Sequence, residues 1–276
     1  MLQIGKIVKK EVWDFMIIVK HELKINQKQL IIWSVVIGLV AFGLMIIYPE
    51  FSTGMGDMKN MFENMGTFTK AFGLDRIDLN SATGYYAIES GTMIAIGGSM
   101  FAALLGTGML AKEEGSHTAE FLLTTPNSRR QIITSKLAAQ TLLVIIFNIL
   151  IVLFAVLGFL LIGESISYTF FLYHIALLLM QLEISYLCFG ISAFLKRSSL
   201  GLGIALSLML YFASILANMS DKLSALNYIT PFYYSDGSRV FSSQSIELSY
   251  VGIGFIFAFI SLSLAYYQYT RKDIAS

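Results

Sequence analysis

The chain has 276 residues, 56% of them hydrophobic and 13% charged, with a mean hydropathy of +0.69 and a formal net charge of +1. A soluble domain carries about 25% charged residues, so this composition excludes one. The apolar residues gather into runs long enough to cross a bilayer, which takes about 20 residues as a helix.

Six such runs are read, at 30–48, 92–110, 137–162, 170–195, 201–219 and 248–267. Each is expected to be helical, because a bare strand or loop leaves backbone groups unsatisfied in hydrocarbon. Short segments of alternating hydropathy, the mark of a membrane barrel, are missing. The predicted fold is all-α: one polytopic membrane domain over 1–276, with six transmembrane helices, an amphipathic interfacial helix before the first and a polar hairpin between the second and third.

Residues 1–29 precede the first span. Ile4, Val8, Val12, Phe15, Val19 and Leu23 recur at helical spacing, with Lys6, Lys9, Lys10, Lys20 and Lys24 between them. A basic amphipathic helix of this kind suits a membrane surface. It is either a topology anchor or a lever that moves with the first span. The 49–91 segment is acidic, and Met55, Met58, Phe62, Met65, Phe68 and Phe72 recur at helical spacing before Gly73, a plausible stop. Packing against the spans and substrate contact are both open to that face.

The second span carries Gly91, Ala95, Ser99, Ala103 and Thr107 at spacings of four. Small-residue stripes let helix backbones approach closely in lipid, within one subunit or between two. The polar hairpin 111–136 follows. Gly115 is expected to break the helix, Phe121, Leu122 and Leu123 to form an apolar tip, and Pro126 to end it. Ser128 then caps the next helix, with Gln131 in capping-box position. Arg129 and Arg130 fall in the first turn, where the helix dipole disfavours cations, so an acidic group of lipid or protein is expected to compensate.

Glu183 is the acid at the middle of the fourth span, where a charge costs about 2.5–3.5 kcal/mol on insertion scales. Gln181, Tyr186 and Asn148 are candidate partners. Glu183, Gln181 and Asn148 either satisfy one another structurally or line a substrate path. Between the fifth and sixth spans, Pro231 bounds any helix, and Phe232, Tyr233 and Tyr234 suit an aromatic belt at the outer interface.

Lysine and arginine set the orientation. Lys59, Lys70, Arg76, Lys222 and Arg239 lie on one side of the six spans, and the other 14 of the 19 lie on the side of the termini and the hairpin. The positive-inside rule makes that side cytosolic. The first apolar run is too long and too far from residue 1 for a cleavable signal. Cys188 alone forms no intrachain disulfide, and His21, His117 and His174 offer no metal-ligand spacing. No phosphate loop, HExxH or GxSxG motif occurs. No catalytic residue, metal or bound cofactor is expected, and no nucleic-acid partner.

The stretch LAKEEGSHTAEFLLTTPNSRRQIITSK resembles the segment between the second and third spans of bacterial type-2 ABC exporter permeases. HELKINQKQLIIWSVVIGL, KAFGLDRIDL, YITPFYYSDGSRVF and YTRKDI resemble further family segments in the same order, covering nearly the whole chain. His117–Thr118 stands where the family commonly runs straight from Gly to Thr. The resemblance implies a bacterial cytoplasmic membrane permease, embedded in lipid, coupled to separate ABC ATPase subunits that use ATP and Mg. It implies that Glu113, Glu114, Glu120, Leu123, Thr125, Pro126, Arg129 and Arg130 contact the ATPase, and that a second permease, identical or homologous, completes the substrate path. The alternatives are a proton-coupled secondary transporter working through Glu183 and a non-transporting peptide sensor or immunity protein.

Overall fold

The computed structural model describes residues 2–54, 66–115 and 128–272, with side chains described from residue 13 onward. The Met-rich face up to and including Met65 and the tip of the polar hairpin fall outside these residues. Among those described, the structure is helical, without strands, and six helices are long and apolar enough to cross a membrane.

Helix α1 runs from Leu2 to Gly54 without a break, about 80 Å at 1.5 Å per residue. The structure therefore joins the amphipathic segment and the first span into one helix. The chemistry of the junction explains this: 24–30 contains neither glycine nor proline, and the Asn26 amide, a potential breaker, donates back to Glu22 O at 2.8 Å. Pro49 lies inside α1 about one turn from its end, where a lost backbone bond disturbs few following residues.

Helix α2 (Thr67–Ala71) precedes Gly73, whose φ of +71° is the left-handed geometry expected of a stop. Helix α3 (Ala82–Tyr85), a π turn over Tyr86–Ser90 and α4 (Gly91–Met109) make the second span continuous. Ser81 starts it by accepting from Gly84 N at 3.1 Å. After the short α5 (Lys112–Gly115) come α6 (Arg129–Leu161), α7 (Tyr168–Ser192) and α8 (Leu200–Met219). The last three begin on serine caps, Ser128, Ser167 and Ser199. A 3-10 turn over Asp221–Tyr228, α9 (Gly237–Ser243) capped by Asp236, and α10 (Leu248–Arg271) complete the chain.

Helices α4 and α7 form the centre of the bundle. α1 lies along α6, α8 covers one flank of α4, and α10 covers one flank of α7. The small-residue stripe of α4 is what permits this. Gly91, Ala95, Ser99, Ala103 and Thr107 are all buried inside the single chain. Ser99 Oγ lies 2.6 Å from Ser207 Oγ of α8. A Cβ on Gly106 would sit 2.6 Å from Ser185 O of α7, and one on Gly203 of α8 would sit 3.1 Å from Ala103 O. The stripe serves contacts within the subunit.

Two expectations are corrected. The second span breaks at Leu110–Ala111, ahead of Gly115, which instead lies within α5. At this turn the Lys136 ammonium donates to the Met109 carbonyl at 3.0 Å. The aromatic trio is also not an exposed belt: Phe232 and Tyr234 are 4% and 2% exposed. Thr230 Oγ1 donates to Leu210 O at 2.8 Å and Ser235 Oγ to Pro231 O at 3.0 Å. These bonds fold 230–235 back into the bundle and carry the rings inward.

Candidate functional site

The base of the polar hairpin is held by a cluster of buried ions. Lys136, in the second turn of α6, is fully buried and donates to Glu22 Oε1 of α1 at 2.6 Å, to Met109 O at 3.0 Å and to Glu113. Glu22, 2% exposed, takes Lys112 on its other oxygen. Each end of the hairpin is thus tied to α1. Ions taken out of water are tolerated only when paired and hydrogen-bonded this completely.

A second set of bonds ties the hairpin to the far end of the chain. Glu114 pairs with Lys272 at 2.7 Å, and the same ammonium donates to Ala193 O and Leu195 O at 3.3 and 3.0 Å. Arg129 donates to Tyr269 O at 3.3 Å and Lys272 O at 2.5 Å, and Thr134 Oγ1 meets Tyr266 Oη at 2.8 Å. Lys272 therefore closes the carbonyl end of α7, and Arg129 that of α10. The compensation that Arg129 needs in a first helical turn comes from the negative end of another helix dipole, where an acidic group was expected.

Of the eight hairpin residues singled out in the sequence, Glu113, Glu114 and Arg129 are thus engaged within the chain, and Arg130 is exposed. Glu120, Leu123, Thr125 and Pro126 lie outside the described residues. Ser128 Oγ accepts from Gln131 N at 3.2 Å, as expected of the cap. Glu22 went unnoticed in the sequence, although a signal was there: between Asp14 and Glu50 it is the one acidic residue, and it stands beside the apolar positions Ile18 and Val19.

Deeper in the bundle, Glu183 Oε2 accepts from Tyr234 Oη at 2.9 Å. None of its three candidate partners takes that place. Asn148 Nδ2 instead donates to Gln181 Oε1 at 2.8 Å, and Tyr186 Oη meets Thr141 Oγ1 at 3.0 Å. The reason is helical phase. Gln181 faces α6, whereas Glu183, two residues on, is turned by about 200° toward α10. There it abuts Gly254, where any Cβ would overlap the carboxylate. Gln140 completes the α6–α7 seam by donating to Ser185 O at 2.9 Å. Gln140 Oε1, Asn148 Oδ1 and Gln181 Nε2 are buried with no partner among the described residues.

The six apolar helices, the hairpin with its ionic base and the polar contacts inside the bundle describe a multi-pass membrane protein. No curated protein matches the chain. The family model described as ABC-2 family transporter protein matches residues 16–274, from the first turns of α1 past the end of α10. The chain belongs to the ABC-2 transporter family, as a membrane permease component.

Proposed function

We propose that this permease is the membrane half of an ATP-driven exporter in a bacterial cytoplasmic membrane, with its termini and hairpin in the cytosol. It works beside a second permease and two separate ATPase subunits that dock on the 111–136 hairpin. Members of the ABC-2 family typically work with ATP-binding subunits. The excess of lysine and arginine on the hairpin side supports the orientation.

The observation that carries the coupling is the ionic base of the hairpin. A loose charged loop would absorb a push from a closing ATPase. This one is tied through Glu22 to α1, through Lys272 to the end of α7, and through Arg129 to the end of α10. Displacement of the hairpin is thereby shared among α1, α4, α6, α7 and α10, which move together. Glu113, Glu114 and Arg129 act in transmission, and docking falls to the exposed Arg130 with Glu120, Leu123, Thr125 and Pro126.

Substrate passes between two permeases. Glu183, Gln181 and Asn148, buried inside one chain, act as ties that hold α6, α7, α10 and the 230–235 segment, and the path runs elsewhere. The test is charge reversal at Arg130, followed by co-purification of the ATPase and transport-coupled ATP hydrolysis. Loss of both with an unchanged melting temperature supports docking at the hairpin; retention of both rejects it.

A further inference from the structure

On the side of the bundle opposite the hairpin, two arginines, Arg76 and Arg239, are carried by segments that pack against each other. Gly73, in the turn after α2, packs against the side chain of Ser238 so closely that a Cβ there would overlap it. This contact brings Arg76, held in the same turn by its N–H bond to Gly73 O at 3.2 Å, beside Arg239, the neighbour of Ser238. The two guanidinium groups are near enough to repel one another. Among the described residues all four ion pairs lie at the base of the hairpin, so neither arginine has one.

Arg239 is positioned by its surroundings. Its guanidinium lies 4.0 Å from the centre of the Tyr233 ring, Nη2 donates to Asn218 Oδ1 at 2.9 Å and Nη1 to Tyr233 Oη at 3.1 Å. Nε remains buried with no partner among the described residues, and so does Nη1 of Arg76. Asp236 and Glu247 are within electrostatic range of Arg239. Asp236 is occupied in capping α9, accepting from Ser238 N at 2.8 Å and Ser238 Oγ at 2.7 Å.

Buried donors are normally satisfied, and like charges normally avoid one another. Two guanidinium groups that break both rules at one place are what an oxyanion would satisfy, since each presents a planar fork of donors. The approach is amphiphilic. The Tyr233 ring leads to Tyr250 at 4.4 Å and on to Tyr228 at 5.1 Å, and Tyr228, Ile229 and Leu248 are 53%, 57% and 73% exposed.

We propose that Arg76 and Arg239 form a binding site for a phosphate group on the face opposite the hairpin, the phosphate being that of a lipid headgroup or of a soluble phosphate compound. The site stands apart from the coupling surface and does not depend on how the ATPase docks.

The full-length protein purified in detergent is measured in two ways: retention of dioleoyl phosphatidylglycerol by native mass spectrometry, and binding of inorganic phosphate by its effect on the melting temperature. Arg76→Gln is expected to weaken whichever binding the unaltered protein shows by about tenfold or more. Lipid retention lost in this variant, with no response to phosphate, identifies a headgroup site. A phosphate response lost in the variant identifies a site open to soluble compounds as well. Arg239→Gln is expected to act likewise; should it fail to fold for want of its Asn218 and Tyr233 bonds, Arg76→Gln decides alone. Absence of both kinds of binding in the unaltered protein, or binding that survives Arg76→Gln, overturns the proposal.

Discussion

Lys136 at the start of α6 donates to Glu22 of α1 at 2.6 Å across 114 residues of sequence, and both side chains are removed from water. This bond joins the polar hairpin to the interior of the first helix, at Glu22. It also makes Glu22 the residue on which two lysines, Lys112 and Lys136, converge.

Removing Lys136 takes one of two lysines from the buried Glu22, which keeps Lys112, and removes a partner of Glu113. Lys136→Met is expected to destabilise the protein by about 3–5 kcal/mol, read as a fall in melting temperature in detergent. Glu22→Gln combined with Lys136→Met is expected to cost less than the two single changes added together, because they remove one shared interaction. Strict additivity in such a cycle would show that the bond contributes little.

Arg129 and Arg130 are adjacent in sequence but are expected to behave differently. Arg129→Gln removes the donor that closes the end of α10 and is expected to lower stability by about 1–3 kcal/mol. Arg130→Glu, on an exposed position, is expected to leave stability within about 0.5 kcal/mol while abolishing ATPase co-purification. Melting curves and pull-downs on the same preparations separate the two effects, and identical behaviour of both variants would count against the division of roles.

Glu183 and Tyr234 hold the 230–235 segment onto α7. Glu183→Ala strands the tyrosine hydroxyl and is expected to cost about 1–3 kcal/mol. Glu183→Gln keeps an acceptor and is expected to preserve both fold and ATP-driven transport. Loss of transport in Glu183→Gln, with an unchanged melting temperature and a flux driven by a pH gradient, would instead make the carboxyl a proton site.

The stripe on α4 offers a sharp contrast between packing inside a subunit and between subunits. Gly106→Leu places a side chain into Ser185 O and the Cys188 side chain of α7. It is expected to abolish a folded monomer, seen as aggregation on size-exclusion chromatography. A well-folded monomer that has merely lost its partner would assign the stripe to an interface between copies.

The class of the protein, its six helices, the capped restart at Ser128 and the stop at Gly73 were legible because each depends on local chemistry. A run of apolar residues, a serine three positions before a backbone donor, or a glycine where φ must be positive declares itself in a short window. The continuity of α1 through 24–30 was not read from the sequence, although that stretch holds no breaker, because the change from basic to apolar residues suggested two elements. What joins the elements did not show in this way. The ties between Glu22 and Lys136, Tyr234 and Glu183, and Arg129 and the last carbonyls of α10 link residues between 51 and 143 positions apart. The inward turn of Phe232 and Tyr234, and the burial of the α4 stripe within one subunit, were likewise decided by which helix faces which. In a bilayer an apolar surface is equally at home against lipid or protein, so hydropathy specifies that a helix crosses but not what it meets. Only close approach at small residues and the pairing of buried polar groups choose the neighbours, and both belong to the tertiary structure.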